Sequence, residues 1–364
     1  MRSRLALVSV VVVAVSSCKE KDLLAEQRHA LAEAQKTAAT QALATGDLQR
    51  ALFAAELAAQ YEPLDPAYRD LALRVSLAHI AAQRPNLSLD QFARAAYQAE
   101  VLSARDPDAK HIYDTVIATD LFARGKPKDA LERVTAVTVK KPDYAAAWVL
   151  KGELHQAAHE LKEALAAFEA ANGLDRKNRR VVANLGTLYA QTGDARAIDT
   201  LLVALELEDT AAVRLTLANV YLGLGRPLDA LPHFAKAAQL EPRDGKYRVA
   251  LGEAHLKLDQ LDQALQSFRD ASALNAEPWA SRGVGAVALK KKDYPTAHLA
   301  FTRVLALNPD ELSTLYFDAE TLEALNKPAE AKPLYERFLQ LAQSVPSEAP
   351  RVLLAKDRLA RLSK

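Results

Sequence analysis

Between Ala95 and Ala331 one pattern returns at steps of 35, 34, 33, 33, 34, 33 and 34 residues. Its anchor is an alanine, as at Ala230, followed by a bulky residue four positions on, a small residue seven on and a proline twelve on. The anchors are Ala51, Ala95, Ala130, Ala164, Ala197, Ala230, Ala264, Ala297 and Ala331. A period of this length holds two short amphipathic helices and a turn, too small a unit to bury its apolar faces alone. Each copy therefore needs neighbours, and the chain must fold as a stack.

The stretch from Ala211 to Asp244 shows the plan of one copy. Leu217, Ala218 and Tyr221 fall on one face of a first helix, and Ala230, Phe234 and Ala237 on one face of a second. Gly225 supplies the turn and Pro242 stops the second helix. The bulky plug recurs as Phe168, Phe234, Phe268, Phe301 and Tyr335, with Val134 and Leu201 as smaller substitutes. The turn position holds Gly46, Gly125 or Gly225 and, at two copies, Asp259 and Asn326, types that tolerate positive φ. Ala and Leu dominate and glycine is scarce, which suits close helix packing.

These features resemble the tetratricopeptide repeat family. Leu185-Gly186 with Tyr189, Leu217-Ala218 with Tyr221, Leu251-Gly252, Val284-Gly285, and Trp148 ahead of Gly152 match the first-helix half of its signature. The resemblance implies an all-α, right-handed superhelical solenoid of about nine helical hairpins over residues 32–345, and a scaffold that binds proteins or extended peptide segments. It implies no enzyme activity and no cofactor. Residues 346–364 are expected to form a capping helix, with Val352, Ala355, Leu359 and Leu362 inward and Lys356, Arg358 and Arg361 on other faces. The rival for this segment is a basic amphipathic helix lying on anionic lipid.

Two departures stand out. The step from Ala51 to Ala95 is 44, with a breaker cluster from Gln83 to Ser88, which predicts a longer second copy with an inserted loop. The copy at Ala197 has Leu201 for a plug and Asp209 in place of the terminal proline. Its second helix is expected to pack less tightly, making it a weak joint.

The opening, residues 1–17, has the pattern of a secretory signal: Arg2 and Arg4, a largely apolar run from Leu5 to Val15, then Ser16-Ser17. That run is too short to span a bilayer comfortably. The chain's only cysteine, Cys18, comes directly after it, and the arrangement resembles the bacterial lipoprotein box. The resemblance implies that Cys18 is acylated as the first residue of the mature chain, with residues 18–31 as a helical stalk. Lys19, where an aspartate would resemble an inner-membrane retention signal, points to the outer membrane, facing the periplasm. Removing residues 1–17 takes Arg2 and Arg4 from the 47 basic residues and none from the 46 acidic ones. Such a near-neutral chain has no electrostatic reason to bind nucleic acid.

No phosphate-binding glycine loop, cysteine pair or Gly-x-Ser-x-Gly elbow occurs. His155-Gln156-Ala157-Ala158-His159 is the nearest approach to a metal motif, but Gln156 stands where a zinc protease needs glutamate. The better reading puts His155 on the packing face and His159 at the turn. Catalytic and metal sites are therefore assigned to no residue. Helical phase places Phe122, Val149, Asn219, Lys246, Trp279, Arg282 and Tyr316 near the concave surface as candidate partner contacts, with Trp279 and Tyr316 the expected anchors. The expected role is an envelope scaffold in assembly of an outer-membrane, secretion or pilus machine; the alternative is a regulatory subunit of a cell-wall hydrolase or other envelope enzyme. Growth with labelled fatty acid tests the anchor: Cys18→Ser should abolish incorporation into this chain, and persistent label would exclude Cys18 as the acylated residue.

Overall fold

A computed structural model describes residues 18–83, 88–104, 106–274 and 277–362. The proposed signal segment lies outside these residues, as do the side chains of Cys18 to Leu24. Among the described residues there are nineteen α-helices and no strand. The chain divides into two compact units at Arg176/Lys177.

The first unit contains α1 (Cys18–Ala44), α2 (Leu48–Tyr61), α3 (Pro66–Gln83), α4 (Leu89–Ser103), a 3-10 turn (Pro107–Ala109), α5 (Lys110–Ala123), α6 (Pro127–Lys140), α7 (Ala145–Ala157) and α8 (Leu161–Leu174). Residues 25–31 of α1 are exposed, and Ala32 is the first buried one, packed with Ala58 and Tyr68. The second unit contains α9 (Arg179–Thr192), α10 (Ala197–Leu207), α11 (Ala211–Gly223), α12 (Pro227–Leu240), α13 (Gly245–Lys257), α14 (Leu261–Ser272), α15 (Trp279–Lys290), α16 (Tyr294–Leu307), α17 (Leu312–Ala324), α18 (Pro328–Ala342), a second 3-10 turn (Pro346–Glu348) and α19 (Ala349–Leu362). Within each unit helices pack mainly on their sequence neighbours, as a solenoid requires.

The core of each hairpin is the plug. Val134, Phe168, Leu201, Phe234, Phe268, Phe301 and Tyr335 are all fully or almost fully buried. Each of the larger plugs meets a small residue on a first helix. Phe168 lies against Gly152, Leu201 against Gly186 and Phe301 against Gly285, while Phe234 clusters with Ala218 and Tyr335 with Ala319. Phe268 is held from two sides, by Gly252 of its own hairpin and Gly283 of the next. A plug thus joins hairpins as well as closing one.

Eight first helices end the same way. The residue after the turn donates its N–H to the carbonyl five positions back, as in Lys126 to Leu121 at 2.9 Å and Arg226 to Tyr221 at 2.9 Å, the Schellman arrangement. The residue between is left-handed, including His159 at φ 61° and Lys292 at φ 60°. His159 is where the sequence places it. Lys292 carries no sequence signal, because lysine has no preference for this conformation.

The break between α3 and α4 falls at the breaker cluster, and the longer second copy departs from a regular hairpin in two further ways: α3 extends over 18 residues, and α4 packs chiefly on α5 rather than on α3. Ser88 starts α4 with a capping box, accepting from the Gln91 N–H while Gln91 Oε1 accepts from the Ser88 N–H; Arg84 to Leu87 of the breaker cluster lie outside the described residues. In the copy at Ala197, expected to pack less tightly, the leucine plug Leu201 is nevertheless fully buried against Gly186.

At the far end Ala355 is buried, and Val352, Leu359 and Leu362 pack on the cluster around Tyr335 and Phe338. Arg358, expected on another face, instead reaches inward to Glu320 and Glu323 of α17, each at 2.6 Å. These bonds hold the inner side of α19 on α17.

The plug contact makes two glycines behave oppositely. A Cβ on Gly285 would lie far inside contact distance of the Phe301 ring, whereas one on Gly173 meets nothing within 4 Å. Gly285→Ala should destabilise by about 1–3 kcal/mol, and Gly173→Ala should raise stability by up to about 1 kcal/mol, both read from denaturant midpoints.

Candidate partner-binding face

In both units the first helices of adjacent hairpins approach one another more closely than the second helices do. This puts the first helices on the inner side of each stack. The side chains there are the ones a partner could reach.

The seven sequence-predicted residues fare differently. Asn219 is exposed on α11. Lys246 is exposed, its Nζ 2.7 Å from Asp244 and over the Tyr247 ring. Trp279, the first residue of α15, is 56% exposed. Arg282 is half-buried, bridging Glu253 of α13 at 3.3 Å and Glu311 ahead of α17 at 3.5 Å. Phe122 is half-buried against the cluster around Val134 and Leu150.

Val149 and Tyr316 are buried and cannot reach a partner. Val149 is 3% exposed on α7. Tyr316 is 4% exposed because α18 carries a second large ring, Phe338, which with Tyr335 draws it inward through edge contacts at 5.4 and 5.9 Å. Periodicity identifies a face but not how far a neighbour covers it.

The second unit carries a groove of about 490 Å³ between α9 and α11, floored by the start of α10. Thr187, Thr216 and Asn219 offer polar atoms, and Ala190, Ile198 and Leu224 offer apolar wall. It lies beside Leu201, where an aromatic plug is missing. There the small first-helix residue and the plug are fifteen residues apart, Gly186 to Leu201, against sixteen from Gly252 to Phe268, and the left-handed turn moves to Gly193. That shorter spacing is legible in the sequence; the lining by Gly223 and Leu224 is not.

The first unit has a smaller, polar cleft of about 200 Å³ among α1, α3 and α5. Asp106 accepts from Arg74 at 3.2 Å and from the Tyr113 hydroxyl at 3.0 Å. Burial alone would raise the Asp106 carboxyl, but these two hydrogen bonds and the Arg74 charge hold it below its ordinary value, and Tyr113 is raised in turn by burial and by Asp106.

The histidine pair has a structural role. His155 is buried with Nδ1 2.6 Å from Glu160 Oε2, and His159 forms the turn. Among the described residues no three His, Cys, Asp or Glu side chains converge as metal ligands, and no helix is long and apolar enough to cross a membrane.

A carboxyl whose pKa is lowered on folding stabilises the fold above its unfolded pKa, and that contribution is lost as pH falls through the lowered value. Asp106→Asn should therefore cost stability at neutral pH, with the gap to the parent closing below about pH 4. Urea titrations across pH check this; a gap independent of pH would refute it.

The family described as Tetratricopeptide repeat matches residues 115–179 and 215–278. Superkiller protein 3 of Schizosaccharomyces pombe is 24% identical over 224 residues, 58% of this chain and 16% of that protein. Peroxisome biogenesis protein 5 of Arabidopsis thaliana is 25% identical over 182 residues, 46% of this chain and 23% of that protein. The chain thus spans less than a quarter of the length of either curated relative. A chain of the APC/C hetero-tetramer Cut9–Hcn1 superposes with a TM-score of 0.54 at 17% identity, covering 85% of this chain and 59% of that one. Pseudomonas aeruginosa pilF superposes with a TM-score of 0.51 at 21% identity, covering 58% of this chain and 98% of that one. At these identities the likeness concerns the fold. Residues 115–179 and 215–278 match the tetratricopeptide repeat, and the described residues around them form helical hairpins on the same plan.

Proposed function

We propose that this chain is a lipid-anchored scaffold of the bacterial envelope, held by Cys18 at the outer membrane, that binds an extended segment of a partner protein on its first-helix face. The observation that carries the binding role is the groove between α9 and α11, open on that face and lined by Asn219. Its mixed walls and volume suit one or two side chains of an extended peptide, whose backbone the Thr and Asn side chains can hydrogen-bond. Trp279, exposed further along the same unit, supplies a rigid aromatic for a second contact.

The anchor reading rests on Arg2 and Arg4, the apolar run and Ser16-Ser17 before Cys18. The exposed residues 25–31 ahead of Ala32 suit a tether between lipid and repeats. Three acyl chains on Cys18 would hold the protein permanently, since two membrane signals already suffice. A scaffold of this kind would bring its partner to the membrane surface and keep it there.

The test is crosslinking of the lipidated protein in intact cells, comparing the parent with Gly223→Trp, which fills the groove, and with Trp279→Ala. Each substitution should lower capture of one envelope partner roughly tenfold or more, the loss of a hot-spot contact. Unchanged capture by both would exclude the groove and the first-helix face, and recovery of a cell-wall hydrolase as the partner would move the role from assembly to enzyme regulation.

A further inference from the structure

Five and six residues after the anchor, the other second helices of the second unit carry Ala235 and Lys236 in α12, Arg269 and Asp270 in α14, Thr302 and Arg303 in α16, and Glu336 and Arg337 in α18. In α10 the same positions hold Leu202 and Val203, 40% and 45% exposed. Asp199 and Glu206 lie one turn to either side on the same face, both exposed. Among the described residues neither has an ion-pair partner, whereas the neighbouring Glu208 and Asp209 are taken by Arg179 and Arg214. An apolar pair between two unpaired carboxylates asks for an apolar helix flanked by cations.

The same chain displays such a helix. The last described helix, α19, presents Leu353 and Leu354 outward, 69% and 52% exposed. Its inner side is occupied by Ala355, Val352 and Leu359 and by the bonds from Arg358. Beside the exposed leucines stand Lys356, without an ion-pair partner among the described residues, and Arg361, shared only with Asp357 one turn back.

We infer that the outer face of α19 docks on the outer face of α10 of a second copy of this chain. Leu353 and Leu354 cover Leu202 and Val203, and Lys356 and Arg361 meet Asp199 and Glu206. Both patches stay free on opposite partners, so the contact is head-to-tail and adds copies one after another rather than stopping at a symmetric pair. One helix on another is smaller than a standard interface, so the expected association is weak, with a dissociation constant on the order of 100 μM. The exposed charges make it weaken with salt. Neither the lipid anchor nor the groove enters this inference.

Sedimentation velocity of the full chain in detergent solution tests it. The mean mass should rise with concentration through 100 μM and fall back when salt is added. Leu202→Lys with Val203→Lys, which spoils only the α10 face, and Leu353→Glu with Leu354→Glu, which spoils only the α19 face, should each leave monomers. An equimolar mixture of these two double variants still contains one intact face of each kind, so it should form two-chain species and nothing larger. A parent that stays monomeric, a double variant that still associates alone, or a mixture that does not recover pairs would each overturn the inference. Circular dichroism establishes that the variants remain helical. Should either lose helix, the single changes Val203→Gln and Leu354→Gln should weaken association severalfold, and an unchanged dissociation constant for both would overturn it equally.

Discussion

Everything in this fold depends on a large side chain pressed against the backbone of a helix that offers almost no side chain in return. Where Phe168 meets Gly152 or Phe301 meets Gly285, the approach is closer than any Cβ would allow. The aromatic then fills the space that two helix surfaces would otherwise leave empty, and packing at this density leaves no room for slippage. Phe268, gripped by Gly252 and Gly283 from successive first helices, shows how the contact also passes stability from one hairpin to the next. The helices themselves are short, and outside such contacts most would be marginal in water.

The fifth hairpin varies that contact: its spacing is a residue shorter and its plug is leucine, and Leu201 still closes on Gly186. On the inner side of the same hairpin lies the groove between α9 and α11, lined by Ala197 and Ile198 of α10. On the outer side the same hairpin carries Leu202 and Val203 where its neighbours carry charge. The place where the repeat departs from its own rule is therefore open on both sides, consistent with function residing where local and global preferences diverge.

Electrostatics plays a supporting part. Arg358 fixes the final helix by spanning Glu320 and Glu323, while Arg74 and Tyr113 organise Asp106 between hairpins of the first unit. These pairs are half-exposed and add orientation more than energy. Arg282 belongs with them: placed by its phase on the inner face, it is engaged with Glu253 and Glu311 and ties three successive first helices together.

Periodicity alone determined that the chain is a stack of helical hairpins, because a 34-residue unit with one apolar seam per helix has no other way to bury it. It located the plugs, the turn at His159 and the inward side of α19. It did not determine which inner-face residues remain open: Tyr316 and Val149 have the same helical phase as exposed positions yet are buried, Tyr316 by the reach of Phe338. Nor did it disclose that α4 would pair with α5, or that Arg358 would turn inward. Helical phase depends on one segment at a time and is written in consecutive residues, whereas exposure depends on how much volume a distant segment brings to the same place.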